Sequence, residues 1–575
     1  MVKGIGASSG IAIGKAFVLP VWEWDFPDKM VDVTDMAGEF DKLNASITSS
    51  KNELVHIKQE MLNLLGEDES HIFDAHLAIL DDPIFMNEVQ GIMQRQFKAA
   101  EVAVKETIDK FVGMFDLLDD EYMKERAADI RDVGNRLLKH LHGEYIETKL
   151  PVDSQFILIA KELSPSQLAH LDPKLTLGIV TLLGGTTSHA AIMARAMGIP
   201  FVLGMEGKLP VPIQTGDALI IDGGEGLVYV NPDSLLIGEF KHRKRDYLAH
   251  RKWLQKLAHI PPITEDGKLI ELKANISSLK ELDLALKNGA TGVGLFRTEF
   301  IFMDRNTLPK EEEQFEVYRK AAMKLDGKPI IIRTLDIGGD KSVAFISIPA
   351  EDNPSLGYRS IRISLDRRDM FKTQLKAILR ASHYGNVKIL YPMISSINEV
   401  KKANEVLEQA KKELVACGQP FNTAIEVGIM IEVPAAVSIA DFLAEEVQFF
   451  SIGTNDLIQY VLAVDRMNEA IAHLYDPYHP AIFRMLKATV DAARNRGIPV
   501  SVCGEMAGEI KALPIWLALG IEELSMSVTS LLPFKNRLLN IRSSIGTELL
   551  DKLLECRTSE QMNELLGLCY QLKST

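Results

Sequence analysis

Residues 292–300 read GVGLFRTEF, a short apolar run that ends on an arginine, Arg297. The same pattern recurs across the C-terminal half: LIELKANIS (269–277), PIIIRTLDIG (329–338), VKILYPMIS (387–395), EVGIMIEVP (426–434), FFSIGTNDL (449–457), IPVSVCGE (498–505) and IEELSMSV (521–528). Between them lie runs with apolar residues three and four apart, such as EEEQFEVYRKAAMKL (311–325) and RDMFKTQLKAILRAS (368–382). Eight strand–helix repeats over residues 261–575 predict a C-terminal (β/α)8 TIM barrel.

Such barrels build their sites at the C-terminal ends of the strands. Those ends carry Asn275, Arg297, Arg333, Met393, Glu432, Asn455 with Asp456, and Cys503, while Arg359 and Arg466 lie in longer segments able to fold over the mouth. Arginines present planar donor forks to phosphate and carboxylate oxygens. Glu432 and Asp456 suit one Mg²⁺, which takes one or two carboxylates plus substrate oxygens and water. Cys503 has no metal-ligand partner at a useful spacing; at a strand end beside an anion pocket it can donate a proton. Each residue also has a bland reading, since strand-end arginines often pair with acids and a lone cysteine is usually a small buried hydrophobe. Their convergence points instead to a pocket for a small, phosphorylated carboxylic acid.

The N-terminal half is built differently. Residues 1–22 read as strand with turns. Residues 33–143 carry helical periodicity in EFDKLNASITSSKNELVHIKQEMLNLL (39–65), HIFDAHLAILDDPIFMNEVQGIM (71–93) and AADIRDVGNRLLKHL (127–141), broken by the acidic GEDES (66–70) and DLLDDEY (116–122). Residues 144–232 return to α/β character, with QFILIA, TLGIVTLL and DALIIDGGEGLVYV as strands and SPSQLAHL as a short capped helix. The simplest topology joins 1–22 to 144–232, inserts the helical subdomain between them, and uses 233–260 as a solvated linker helix before Pro261-Pro262. In GGTTSHAAIMARAMGIP (184–200), His189 sits where Thr187 or Ser188 would cap a helix. A helix N-terminus favours a neutral imidazole and then the phosphoryl group it would receive. A nucleophile here and an anion pocket in the barrel belong together if the first domain swivels to the second.

Composition narrows the class. With 64 Lys+Arg against 79 Asp+Glu the net charge is −15, which argues against a nucleic-acid binder and is compatible with a basic protein partner. Four cysteines without CxxC spacing suit a reducing cytoplasm. No run is long and apolar enough to span a membrane.

GGTTSHAAIMAR, GLFRTEFIFMDR, IIRTLDIGGDK, NPSLGYRSIRI, MIEVPAAV, FFSIGTNDLIQYVLAVDR and SVCGEMAG, together with ASSGIAIGKA and DDEYMKERAADIRDVGNRLL, resemble the signatures of the phosphoenolpyruvate–protein phosphotransferases, Enzyme I of the bacterial phosphotransferase system. The resemblance covers essentially the whole chain. It implies that His189 takes the phosphoryl group of phosphoenolpyruvate and passes it to the carrier protein HPr. It further implies that Arg297 and Arg333, helped by Arg359 and Lys341, bind the phosphate, and that Asn455 and Arg466 hold the substrate. Glu432 and Asp456 would ligate Mg²⁺, Cys503 would protonate the enolate to pyruvate, the helical insert would dock HPr, and the barrel would form a homodimer. The related dikinases share the histidine domain and barrel but need a nucleotide-binding domain, for which the helical insert is too small and lacks a glycine-rich loop. A scaffold that has lost turnover would not have to keep His189, both arginines, both carboxylates and Cys503. The start at MVKGIGASSGIAIG favours the sugar branch over the nitrogen-related one.

Thr186 stands where the family pattern has an arginine before the histidine. Losing that cation is expected to change the lability of a phosphoryl group on His189. The Thr186→Arg variant should therefore hydrolyse its phosphohistidine at a different rate from the parent, measured by loss of the added mass over time. Equal rates would contradict this.

Overall fold

What residues 2–18 pair with sets the first half of the molecule. In the computed structural model they form β1 (Val2–Lys3), β2 (Ile5–Ser8) and β3 (Ile11–Val18). The structure describes all residues except 21–23, 25, 27–29, 65–71, 117–120, 144–149, 152, 186–187, 209–211, 304, 306, 340–342, 344–345, 347–350, 467, 469–470 and 572–575. GEDES, most of DLLDDEY, Lys341, Thr186 and Thr187 lie outside the described residues. The chain forms two compact units, Met1–His250 and Arg251–Thr575.

In the first unit, β3 pairs in parallel with β4 (Phe156–Ala160), Lys15 opposite Phe156, although more than a hundred residues separate them. The sheet continues through β5 (Thr176–Thr181), β6 (Phe201–Leu203), β7 (Ala218–Asp222) and β8 (Leu227–Val230) in the order β1-β8-β7-β3-β4-β5-β6-β2. The DGGEG turn between β7 and β8 needs its glycines: a Cβ on Gly223 would fall 2.0 Å from the Ser8 carbonyl oxygen.

Between β3 and β4 run α1 (Met36–Leu64), α2 (Ile72–Asp81), α3 (Pro83–Gln96), α4 (Ala100–Asp116) and α5 (Glu121–His142). Asp82 caps α3 through its side chain, with Pro83 in the first turn, where a missing N–H costs nothing. One apolar core joins these helices to the sheet: Leu54, Phe73, Val89, Val133 and Leu137 pack in the same cluster as Leu158, Ile179, Met193 and Leu203. Burial of each large side chain contributes about 1.5–3 kcal/mol. Two short helices complete this face. In α6 (Pro165–Ala169), Ser164 and Gln167 form a reciprocal capping box. In α7 (His189–Met197), Ser188 caps by accepting from the Ala191 N–H at 3.3 Å, which places His189 at the first helical position. The charged helix α8 (Ser234–Lys256) follows. It is mostly exposed, but Phe240 is buried with Ile11 and Ile220 under the Arg243 guanidinium.

In the second unit the eight apolar runs become β9 (Glu271–Ile276), β10 (Val293–Phe296), β11 (Ile330–Arg333), β12 (Val387–Tyr391), β13 (Val427–Ile431), β14 (Phe449–Ile452), β15 (Val500–Val502) and β16 (Glu523–Ser527). Every neighbouring pair is parallel, and β16 pairs back with β9 to close the barrel. Helices such as Glu311–Lys324 and Arg368–Ala381 occupy the amphipathic runs. Among the described residues no helix is long and apolar enough to cross a membrane.

One ion cluster clips α1 to α5. Arg136, Lys139 and His140 place nitrogens 2.6, 3.0 and 2.8 Å from the Glu53 carboxylate. Burial opposes ionisation of Glu53, but the Arg136 charge, with hydrogen bonds from Lys139 and His140, overrides it and draws its pKa down to about 2. A depressed carboxyl pKa stabilises the fold above the ordinary carboxyl range and loses that contribution as pH falls towards the folded value. The acid limb of unfolding between about pH 5 and pH 2 should therefore flatten in Glu53→Gln, measured by circular dichroism. An unchanged limb would contradict the clip.

Candidate active site

The strand ends deliver their side chains to one mouth. Arg333 is the last residue of β11, and Arg297, Glu432 and Cys503 each come one residue after β10, β13 and β15. Asn455 and Asp456 occupy the first turn of the helix Thr454–Leu462. Two glycines permit this crowding. A Cβ on Gly453 would lie 2.8 Å from Glu432 Oε2, and one on Gly504 would lie 1.8 Å from Thr454 Oγ1.

The mouth is held by buried charge. Arg333 and Arg359 are 5% and 4% exposed. Arg333 pairs with Glu299, and its Nη1 lies 3.1 Å from Asp336. Arg359 donates through Nη2 to the same Asp336 at 3.2 Å and through Nη1 to the Tyr460 hydroxyl at 3.1 Å, with Asp456 Oδ1 3.7 Å away. Burial disfavours both charges, yet Glu299, Asp336, Asp456 and Glu432 more than compensate, so both guanidiniums are held above their already high ordinary pKa. Neither Arg333 Nε nor Arg359 Nε has an acceptor among the described residues. Two buried donors thus lack a partner among the described residues, and a buried donor without an acceptor is costly.

The turn after β11 brings Arg359 there. At Gly338 φ is +93°, and a Cβ would sit 2.6 Å from the Tyr358 carbonyl oxygen. Met393 also takes a left-handed conformation, φ 55°, and its N–H donates to Glu432 Oε1 at 2.6 Å. Such strain costs about 1–3 kcal/mol and gathers at functional sites. Glu432, 1% exposed, is pushed up from the usual carboxyl range by burial, then by Asp456 and Asp336, while Arg333 and Arg359 oppose the shift.

Cys503 is buried, its backbone N–H donating to the Ile452 carbonyl and its Sγ 3.6 Å from the same oxygen. Burial pushes the thiol up to about 11, against the pull of the Ser451 hydroxyl, Arg333 and Arg297, so it stays protonated at neutral pH. Asn275 anchors that strand end by donating to the Cys503 carbonyl at 2.8 Å.

The remaining expected residues are placed less tightly. Arg297 is exposed at the rim. The Asn455 side chain is engaged with Glu505 in both directions, at 3.2 and 2.9 Å. Arg466 is half-buried, with its backbone N–H on Gln459. His189 belongs to the first unit, not to the barrel.

Three protein-family models match the chain: "PEP-utilising enzyme, N-terminal" over 3–126, "PEP-utilising enzyme, mobile domain" over 152–226, and "PEP-utilising enzyme, PEP-binding domain" over 251–543. A phosphoenolpyruvate-protein phosphotransferase of Geobacillus stearothermophilus is 45% identical, covering 98% of this chain and 96% of the relative. Those of Bacillus subtilis and Staphylococcus aureus are 44% and 43% identical, covering 98% and 99% of each chain. The chain belongs to the phosphoenolpyruvate–protein phosphotransferase family.

In this member of the phosphotransferase family, three residues that the motifs contain but that strand-end reading passes over complete the site: Glu299, Asp336 and Tyr460. The first two are acids two or three residues beyond a strand-end arginine, LFRTE and RTLD. That spacing is the signal that would have found them. Asp336 is the shared counter-ion, and Asp336→Asn leaves two buried guanidiniums short of one negative charge. We expect it to destabilise the second unit by about 3 kcal/mol in denaturant unfolding, and unchanged stability would contradict its balancing role.

Proposed function

We propose that this chain moves the phosphoryl group of phosphoenolpyruvate to its own His189, releasing pyruvate, and then to a histidine of HPr, the first step of phosphotransferase-system sugar uptake. The observation that carries the reading is the pair of buried Nε donors on Arg333 and Arg359 that have no acceptor among the described residues, in a barrel that also holds a protonated thiol. A phosphate supplies the missing acceptors.

In this reading Arg333 and Arg359 grip the phosphate with Arg297, which is exposed at the rim, and Lys341 assists. Asn455 and Arg466 hold the carboxylate end, which requires Asn455 to exchange its bonds to Glu505 for the substrate. The His189 imidazole attacks phosphorus as the bond to the enolate oxygen breaks. The Cys503 S–H bond then breaks, its proton forms the new C–H bond of the pyruvate methyl group, and the thiolate is left behind. Positioning and charge neutralisation supply most of the catalysis in such a transfer. His189 and the pocket lie in different units, so transfer requires the first to bring the histidine to the barrel mouth.

The acids favour a metal. Arg333 and Arg359 stand among Glu299, Asp336 and Asp456, and Glu432 is crowded by Asp456 and Asp336. Glu432 and Asp456 are hard oxygen donors whose mutual repulsion a divalent cation relieves, and they would hold Mg²⁺ together with substrate oxygens and water. When bound, Mg²⁺ neutralises phosphate and enolate charge. We further propose that the helical segment α1–α5 docks HPr, that the barrel forms the homodimer, and that the protein works in the cytoplasm on the sugar branch.

The test is incubation with phosphoenolpyruvate and Mg²⁺, without ATP, followed by intact-mass analysis and a pyruvate assay beside His189→Ala. One acid-labile phosphoryl group, with pyruvate released and no adduct in the variant, is expected. An unmodified parent, or an adduct that survives His189→Ala, would overturn the reading.

A further inference from the structure

Tyr460 lies four residues beyond Asp456 on the helix Thr454–Leu462, so the two side chains share one helix face. That face meets Arg359. Its Nη1 donates to the Tyr460 hydroxyl at 3.1 Å and lies 3.7 Å from Asp456 Oδ1. The single hydrogen of the Tyr460 hydroxyl goes the other way, to the Ser355 carbonyl oxygen at 2.5 Å. Its lone pairs are therefore left for the guanidinium. Met393 Sδ, at 3.9 Å, packs against the same oxygen.

One phenol thus joins three segments: the short helix carrying Asn455 and Asp456, the Pro354–Leu356 turn just before Arg359, and the strained residue that braces Glu432. The consequence lies in which edge of Arg359 stays open. Asp336 takes Nη2, Tyr460 and Asp456 take Nη1, and Nε alone is without an acceptor among the described residues. Removing the hydroxyl frees Nη1 from its closest partner and the turn from its anchor, and the guanidinium can then rotate its open edge away.

We propose that Tyr460 is a positioning residue, which holds Nη1 of Arg359 and the Ser355 turn so that Nε is presented to the substrate phosphate. This rests on the reading of Arg359 as a phosphate ligand. Acting through ground-state binding, Tyr460 sets affinity more than turnover, and it acts through Arg359 alone.

The test is a double-mutant cycle with Tyr460→Phe and Arg359→Lys, read by steady-state pyruvate release with HPr in excess and by melting curves. In the otherwise unaltered chain, Tyr460→Phe should raise KM for phosphoenolpyruvate roughly tenfold while kcat changes less than about threefold. In the Arg359→Lys background the same change should move KM by less than about twofold. Multiplicative effects in the two backgrounds would show that Tyr460 does not act through Arg359 and would overturn the proposal. So would a Tyr460→Phe protein that melts lower with KM unchanged, the mark of a purely structural role. An unaltered chain that takes no phosphoryl group would overturn the functional reading and this inference together. One that takes it, beside a variant of unchanged KM, would overturn this inference alone.

Discussion

Asp336 is a buried carboxylate held between two buried guanidiniums, and the barrel mouth depends on that arrangement. Taking an ion out of water costs several kcal/mol, which the interior returns only when partners are close and well aligned. Here Arg333 and Arg359 share one acid, Glu299 holds the far side of Arg333, and Tyr460 and Asp456 hold the far side of Arg359. The result is a rigid pair of planar forks whose orientation is set before any ligand arrives. Preorganisation of this kind makes electrostatic catalysis effective, because donors that are already aimed need no reorganisation during the reaction.

The same constraint accounts for the surrounding backbone. Glycines stand at 338, 453 and 504 because strand ends and turns must approach within distances that exclude a side chain. Met393 bears left-handed strain so that its N–H can meet Glu432. Burial sends the two proton-bearing groups of the mouth in a common direction: Cys503 and Glu432 both hold protons more tightly than usual. For the thiol this is what a proton donor at neutral pH requires. For Glu432 it marks a carboxyl crowded by other acids. In the first unit, an apolar core shared by the helices and the sheet ties the helical segment to the helix that begins at His189.

The barrel was legible because each parallel strand, covered by helices, must be a nearly continuous apolar run, and because strands and helices alternate strictly. All eight expected runs contain a strand. That residues 1–22 join the α/β block after the helical segment was likewise readable from the way α/β character stops and resumes, but the pairing of 11–18 with 156–160 was not. The strand-end residues were legible by position, but their internal pairing was not. Asp336 and Glu299 bind across turns whose shape depends on Gly338 and on neighbouring strands, and Tyr460 reaches Ser355 over more than a hundred residues. No local periodicity encodes such contacts. Phe240, buried under Arg243 on an otherwise solvated helix, escaped for the same reason: its partners come from distant strands.

In the proposed function, the buried Nε donors of Arg333 and Arg359 meet the substrate phosphate. The most direct measurement is nuclear magnetic resonance of the arginine Nε–H groups, titrated with phosphoenolpyruvate in the presence of Mg²⁺ and assigned by substitution at each position. The Nε–H signals of both Arg333 and Arg359 are expected to shift and become protected from solvent exchange as the substrate binds. Saturation with phosphoenolpyruvate that leaves both signals unmoved would contradict it.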